Sequence, residues 1–318
     1  MRRLLLLVAA VLAVLAVYAA VSLSTDDARS AIGASKLARR AADRIEYHDR
    51  GRGEAVVLLA SLARPASDFN ELVLDLNGAG FRTLAIEARG IGWSARAGVV
   101  GKWTFHDLAA DIAEVLEDAG FAAAERVHVV GHALGNRVAR TFAMDYPRRI
   151  RTLTLVAAGG QAPIPLRIQG ALLAATAGFL PDGFRERQMR RAFFAEGNEI
   201  PDHWNAGWNF RAGLSQIRAN AATRSEEFWR GGDAPMLVLQ GEEDPVAPPE
   251  AAGLALAAEF PERVTLVRIP GASHALLPER PEQIHEAVIA FLRDHPLARS
   301  STHSSSGRRD SRRARSRV

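Results

Sequence analysis

The sequence predicts an α/β protein, a doubly wound and mostly parallel sheet interrupted once by an inserted block of helices. Three observations predict it. From Arg44 onward, short β-branched runs alternate with helical patterns, as in sheets built from strand, crossover and strand. Those runs are almost continuously apolar, which suits parallel strands covered on both faces. The rhythm stops after Gly160 and resumes near Ala234, leaving a stretch too long to be a plain loop in a compact domain.

Taken in order, Arg2 and Arg3 precede an uncharged run from Leu4 to Leu23 that, as a helix, covers roughly 30 Å and so spans a bilayer core. Residues 1–23 therefore read as a signal sequence or a membrane anchor; the small residues Ala20, Val21 and Ser22 leave cleavage open. In either case the arginines stay inside and the rest crosses, placing the body outside the cytoplasm as an anchored or exported domain. Residues 24–43 are small and charged and read as a linker or short helix.

Strands are expected over 54–59, 82–86, 127–130 and 152–156, with a helix opening at Thr104 and capped by Asp107 three residues on. Residues 44–160 form the first part of the core. Residues 161–232, with Phe193, Phe194, Trp204, Trp208, Phe228 and Trp229, read as a helical cap whose aromatics mainly pack the cap itself. Strands over 236–239 and 264–269 and a closing helix from Pro281 to about Asp294 complete the core, 233–296.

The tail, 297–318, holds seven arginines against Asp310, more charge than the whole chain's net +4, so the body before it is slightly acidic. Interleaved with serine and lacking aromatics for base stacking, the tail reads as disordered and gives no basis for specific nucleic-acid recognition. The chain has no cysteine, which excludes disulfides, thiolate metal sites and a cysteine nucleophile. Nothing in the sequence resembles a metal cluster, and no cofactor motif is present.

Ligands of open parallel sheets sit at the carboxyl ends of the strands. After Val127–Val130 comes Gly131-His132-Ala133-Leu134-Gly135-Asn136, a strand-to-helix turn in which two glycines flank a central side chain presented over the sheet. That side chain is a methyl group. Asp244 follows the 236–239 run, and Pro270-Gly-Ala-Ser-His274 follows the last strand.

The order of elbow, Asp and His resembles the capped α/β hydrolases, and the resemblance extends from Arg44 to Pro296. The segment Glu87-Ala-Arg-Gly-Ile-Gly-Trp-Ser94 is similar to the family's Asp-x-Arg-Gly-x-Gly-x-Ser. The resemblance implies that Asp244 orients His274 and that His274 acts as base on whatever occupies the elbow. Ala60-Ser61-Leu62 stands where the family commonly has His-Gly. Backbone amides such as those of Leu62 and Leu134 still suffice for an oxyanion hole. Ala133 cannot form an ester intermediate.

Ser61 and His132 are further candidates to face the site. Asp68, Asp107 and Asp111 fit helix starts or exposed faces. The functional expectation is a hydrolase or proton-abstracting enzyme acting on an apolar small molecule through His274 and Asp244. The alternatives are an inactive member that binds a small ligand or partner, and a scaffold working through its anchor and tail.

Overall fold

The computed structural model describes residues 2–24, 29–40, 43–96 and 103–297. An eight-stranded sheet runs through the body in the order β1-β2-β4-β3-β5-β6-β7-β8. Its strands are β1 (Ala34–Arg40), β2 (Asp43–Gly51), β3 (Ala55–Leu59), β4 (Arg82–Ile86), β5 (Val127–His132), β6 (Ile150–Val156), β7 (Met236–Gly241) and β8 (Val264–Ile269). From β4 to β8 every pairing is parallel, whereas β1 and β2 pair antiparallel with each other and β2 joins β4 antiparallel.

The six strands expected from apolar runs are all present. The stretch read as a linker departs from expectation: residues 34–40 form the edge strand β1, paired with β2 from Ala34↔Asp49 to Arg40↔Asp43. Its inward side chains are few, with Ala38 meeting Ile45 and Tyr47 from β2 in the core, so no apolar run announces it.

Strand pleating divides the core in two. Val57, Leu59, Val129, Leu153, Leu155 and Val238 face α3 (Phe105–Asp118) and α4 (Leu134–Asp145). Val56, Leu58, Val130, Leu237 and Leu239 face α2 (Asn70–Gly78) and α11 (Pro281–Asp294). Thr104 caps α3 in the expected box: its hydroxyl accepts from the Asp107 amide while the Asp107 carboxylate accepts from the Thr104 amide.

Between β6 and β7 lie four helices, α5 (Leu166–Thr176), α6 (Asp182–Phe193), α7 (Asp202–Asn205) and α8 (Phe210–Ala222). Ile168, Met189, Phe193, Phe194, Trp204 and Trp208 form a third cluster over the sheet, which also takes in Ala63 and Ala275 from the core loops. Phe228 and Trp229 pack instead into the core on the α3 and α4 side. After β7 come α9 (Gly253–Glu259) and, following β8, α10 (Leu276–Glu279).

At the amino end, α1 (Arg2–Ser24) is, among the described residues, the one helix long and apolar enough to cross a membrane, over the 18 residues Arg2–Ala19, and that window is unburied. The tail from 298 on lies outside the described residues.

Candidate active site

The turn from β5 into α4 places Ala133 at φ 50°, ψ −108°, a backbone conformation that L-residues avoid. Tertiary packing enforces it. The Ala133 amide donates to the Val156 carbonyl at 2.9 Å, and a Cβ on Gly135 would stand 2.1 Å from the Leu59 carbonyl oxygen. A Cβ on Gly131 would come within 2.5 Å of the Asn136 amide nitrogen. Both glycines are thus required by close approach of backbone to backbone.

His274 Nδ1 and Asp244 Oδ2 lie 2.8 Å apart. Asp244 is buried and its other oxygen accepts from the Val246 and Ala247 amides at 2.9 and 2.8 Å. An acceptor so occupied fixes the imidazole with its proton on Nδ1 and leaves Nε2 as the basic nitrogen. Nε2 makes no hydrogen bond with any described residue.

The loop carrying His274 is tied from three directions. The Ala275 amide donates to the Phe193 carbonyl at 2.7 Å, joining the loop to the end of α6. Glu279 accepts from the Ser273 and Ala195 amides, both at 2.7 Å, and burial pushes its carboxyl above the usual range. The Phe193 ring stands 5.9 Å from the His274 ring.

His132, a candidate for contact with substrate, has another task. It is fully buried, and its Nε2 donates to the His274 carbonyl at 2.8 Å. Strand β5 continues through His132, so the pleat turns this side chain to the Val130 face and toward the His274 loop. Its Nδ1 has no partner. Burial, and secondly the charge of His274, push its pKa down to about 4, so the ring is neutral near pH 7.

Ser61 is buried in a turn closed by the Arg64 amide donating to its carbonyl at 3.2 Å. Leu62 packs against the helical cluster above the sheet. The amides of Leu62 and Leu134 donate to no backbone carbonyl among the described residues, the latter because it opens α4.

Sequence reasoning missed the fastening of this loop. Ala63, at φ 59°, donates its amide to Gln216 Oε1 of α8 at 2.7 Å. Arg64 grips Asp68 through Nε and Nη2 at 2.8 and 2.6 Å and lies 4.8 and 4.6 Å from the Trp204 and Trp208 rings. Asp68, in the first turn of the short helix Ala66–Phe69, is therefore a helix start as expected, but a buried ion-pair partner and not part of an exposed face. Asp111 is likewise buried against Arg89, at 2.6 Å. The spacing Arg64 to Asp68, four apart, was the available signal. Among the described residues no group of His, Asp and Glu is placed to hold a metal ion.

A model of the alpha/beta hydrolase family matches residues 56–287. The chain is similar to a putative carbamate hydrolase RutD of Variovorax paradoxus, 37% identical over 111 residues, which is 35% of this chain and 40% of that protein. It therefore spans less than half of that relative. It is also similar to a 2-hydroxy-6-oxononadienedioate/2-hydroxy-6-oxononatrienedioate hydrolase of Paraburkholderia xenovorans, 27% identical over 266 residues, covering 78% of this chain and 90% of that protein. A thermophilic esterase from Thermogutta terrifontis superposes with a TM-score of 0.64 at 25% identity, over 84% of this chain and 100% of the esterase. Rv0554 from Mycobacterium tuberculosis shares the fold, with a TM-score of 0.69 at 22% identity over 82% of this chain and 100% of its own.

Proposed function

The chain belongs to the alpha/beta hydrolase family, and we propose that it hydrolyses a small, largely apolar carbonyl compound by direct attack of water, without a covalent enzyme intermediate. His274 is the general base, Asp244 orients it, and Ala133 leaves room at the elbow for the water or the reacting carbon. Water attacks the carbonyl carbon as its proton passes to His274 Nε2, and the oxyanion is received by the amides of Leu62 and Leu134. Collapse of the tetrahedral adduct breaks the bond to the leaving group, which takes the proton back from His274.

The observation that carries this reading is the His274 ring held by Asp244 at 2.8 Å with Nε2 uncommitted. The hydrolase names of the relatives, a carbamate hydrolase and a dioate hydrolase, support carbonyl chemistry on small molecules. Ser61, held in its turn, and His132, spent on the His274 loop, take no chemical part in this scheme. We further propose that α1 serves as signal or anchor, with Arg2 and Arg3 on the cytoplasmic side and the body across the membrane.

The test is turnover of short-chain aryl esters and aryl carbamates by the full chain in detergent, beside His274→Ala and Ala133→Ser. Turnover in the unaltered protein that falls roughly 10²- to 10⁴-fold in His274→Ala is the expected result. The methyl of Ala133 also favours a second reading, a ligand-binding member without turnover. Saturable binding with no product, and activity appearing only in Ala133→Ser, would establish that reading instead.

A further inference from the structure

Helices α5 and α6 pack side by side and turn their inner faces to the cluster over the sheet, through Ile168 and Ala171 on one and Met189 and Phe193 on the other. Their outer faces therefore point away from the body. The outer face of a surface helix is ordinarily polar. That of α5 instead carries Leu166, which is 83% exposed, and Leu173 two turns on. On α6, Phe184, Arg187 and Arg191 recur at helical spacing on the exposed side, and the Arg187 guanidinium stands 5.8 Å from the Phe184 ring. Between the two helices the Phe179 ring meets Phe210 of α8 at 5.6 Å, so the surface continues onto α8, where Leu214 and Ile217 are exposed.

Charge on this face is one-sided. Helices α5 and α8 expose Arg167, Arg211 and Arg218, and neither helix contains an acidic residue. On α6, Asp182 and Glu186 are outnumbered by arginines, although the body as a whole is slightly acidic. Apolar side chains interleaved with arginine are the composition of helices that lie in a lipid interface, where the apolar groups enter the head-group region and the guanidinium groups meet phosphate.

The placement of α1 says what covers the face. Tyr18, near the carboxyl end of α1, lies within electrostatic range of Arg185 on α6. Tyrosine favours the boundary between membrane and water. As an anchor with Arg2 and Arg3 on the cytoplasmic side, α1 leaves the bilayer beside α6, and the cap is the part of the body set against the membrane.

We propose that the outer face of α5, α6 and α8 rests on the bilayer that α1 crosses, with Leu166, Leu173 and Phe184 in the interface and Arg167, Arg187 and Arg218 on anionic phosphates. This docking rests on α1 being a retained anchor, a reading that the test follows separately.

Because the chain has no cysteine, a single substitution carries an environment-sensitive fluorophore at one place. The full chain is reconstituted in vesicles of phosphatidylcholine and phosphatidylglycerol, labelled through Leu173→Cys on the cap, Met144→Cys near the far end of α4, or Val11→Cys in α1. Lipids bearing a nitroxide at a shallow or a deep acyl position serve as quenchers. The expected result is shallow quenching at position 173 several-fold stronger than at 144, weakened several-fold in phosphatidylcholine alone and by Arg167→Glu. Deep quenching at position 11, with 173 no more quenched than 144, overturns the docking and leaves the anchor standing. Quenching at neither 11 nor 173 overturns both. A blue shift at 173 without lipid quenching gives the face to a protein partner such as a second copy, and overturns the docking as well. Should the label at 173 disturb folding, Leu166→Cys on the same face carries the test.

Discussion

At the carboxyl end of β5 the chain is strained and chemically bare, whereas at the ends of β7 and β8 it is relaxed and densely hydrogen-bonded. The only non-glycine residues with positive φ among those described are three alanines, Ala63, Ala133 and Ala157, at or just past the carboxyl ends of β3, β5 and β6. Opposite them, Asp244 and Glu279 each gather several donors, and His274 is tied at its ring, its carbonyl and the following amide. Strain of this kind persists only where surrounding structure over-determines it. The elbow geometry is therefore maintained although its central side chain is a methyl, and the base half is built to hold one nitrogen in one place. In the proposed mechanism the difference gives shape to one half and proton transfer to the other.

The sharpest way to break the comparison is to remove the base. His274→Ala is expected to lower turnover by roughly 10²- to 10⁴-fold while leaving the melting temperature within a few degrees, measured as kcat/KM beside thermal unfolding. Equal loss in Asp244→Asn would show orientation and base acting as a unit; full activity in either variant would place the chemistry elsewhere.

Next in size is the elbow's packing. Gly135→Val forces a side chain against the Leu59 and Ala60 carbonyls and should destabilise the fold by about 3 kcal/mol or more, read from urea midpoints. A variant as stable as the parent would mean that β3 and α4 separate without penalty.

The hydrogen bond between the halves has its own pH signature. With His132 at about 4 folded and near 6.5 unfolded, the unfolded chain binds the extra proton between those values. Stability is full above pH 6.5, falls as pH drops toward 4, and changes no further from this group below that. The contribution is about 3 kcal/mol at most, and His132→Asn should flatten it in that window. A slope unchanged by the substitution would refute the assignment to this ring.

The smallest effect tests the strain itself. Ala133→Gly relieves φ 50° but adds freedom to the unfolded chain, so a net gain of about 1 kcal/mol or less is expected from equilibrium unfolding.

Much of this was legible in the sequence because parallel strands leave a plain record. Runs such as Val127–Val130 are apolar on both faces, and the glycines of the elbow are demanded by backbone contacts that no other residue allows. The edge pair β1 and β2 left none, since Lys36, Arg39 and Arg44 alternate with a few inward side chains and mimic a linker. Buried charge was harder to read. Asp68 had only its four-residue spacing from Arg64 to mark it, and Asp111 had nothing, because its partner Arg89 is brought in by tertiary structure. His132 could not be placed from the sequence for a simpler reason: whether β5 ends before or after it decides which face it takes.

One amide couples two parts of the molecule. The Ala275 N–H bonded to the Phe193 carbonyl makes the end of α6 and the His274 loop share a single hinge point. Any motion that lifts this part of the cap must either break that bond or draw His274 away from the elbow. The cap and the His274 loop are thus fastened to each other at one point, and in the proposed mechanism the position of the base follows that of α6 for as long as this bond holds.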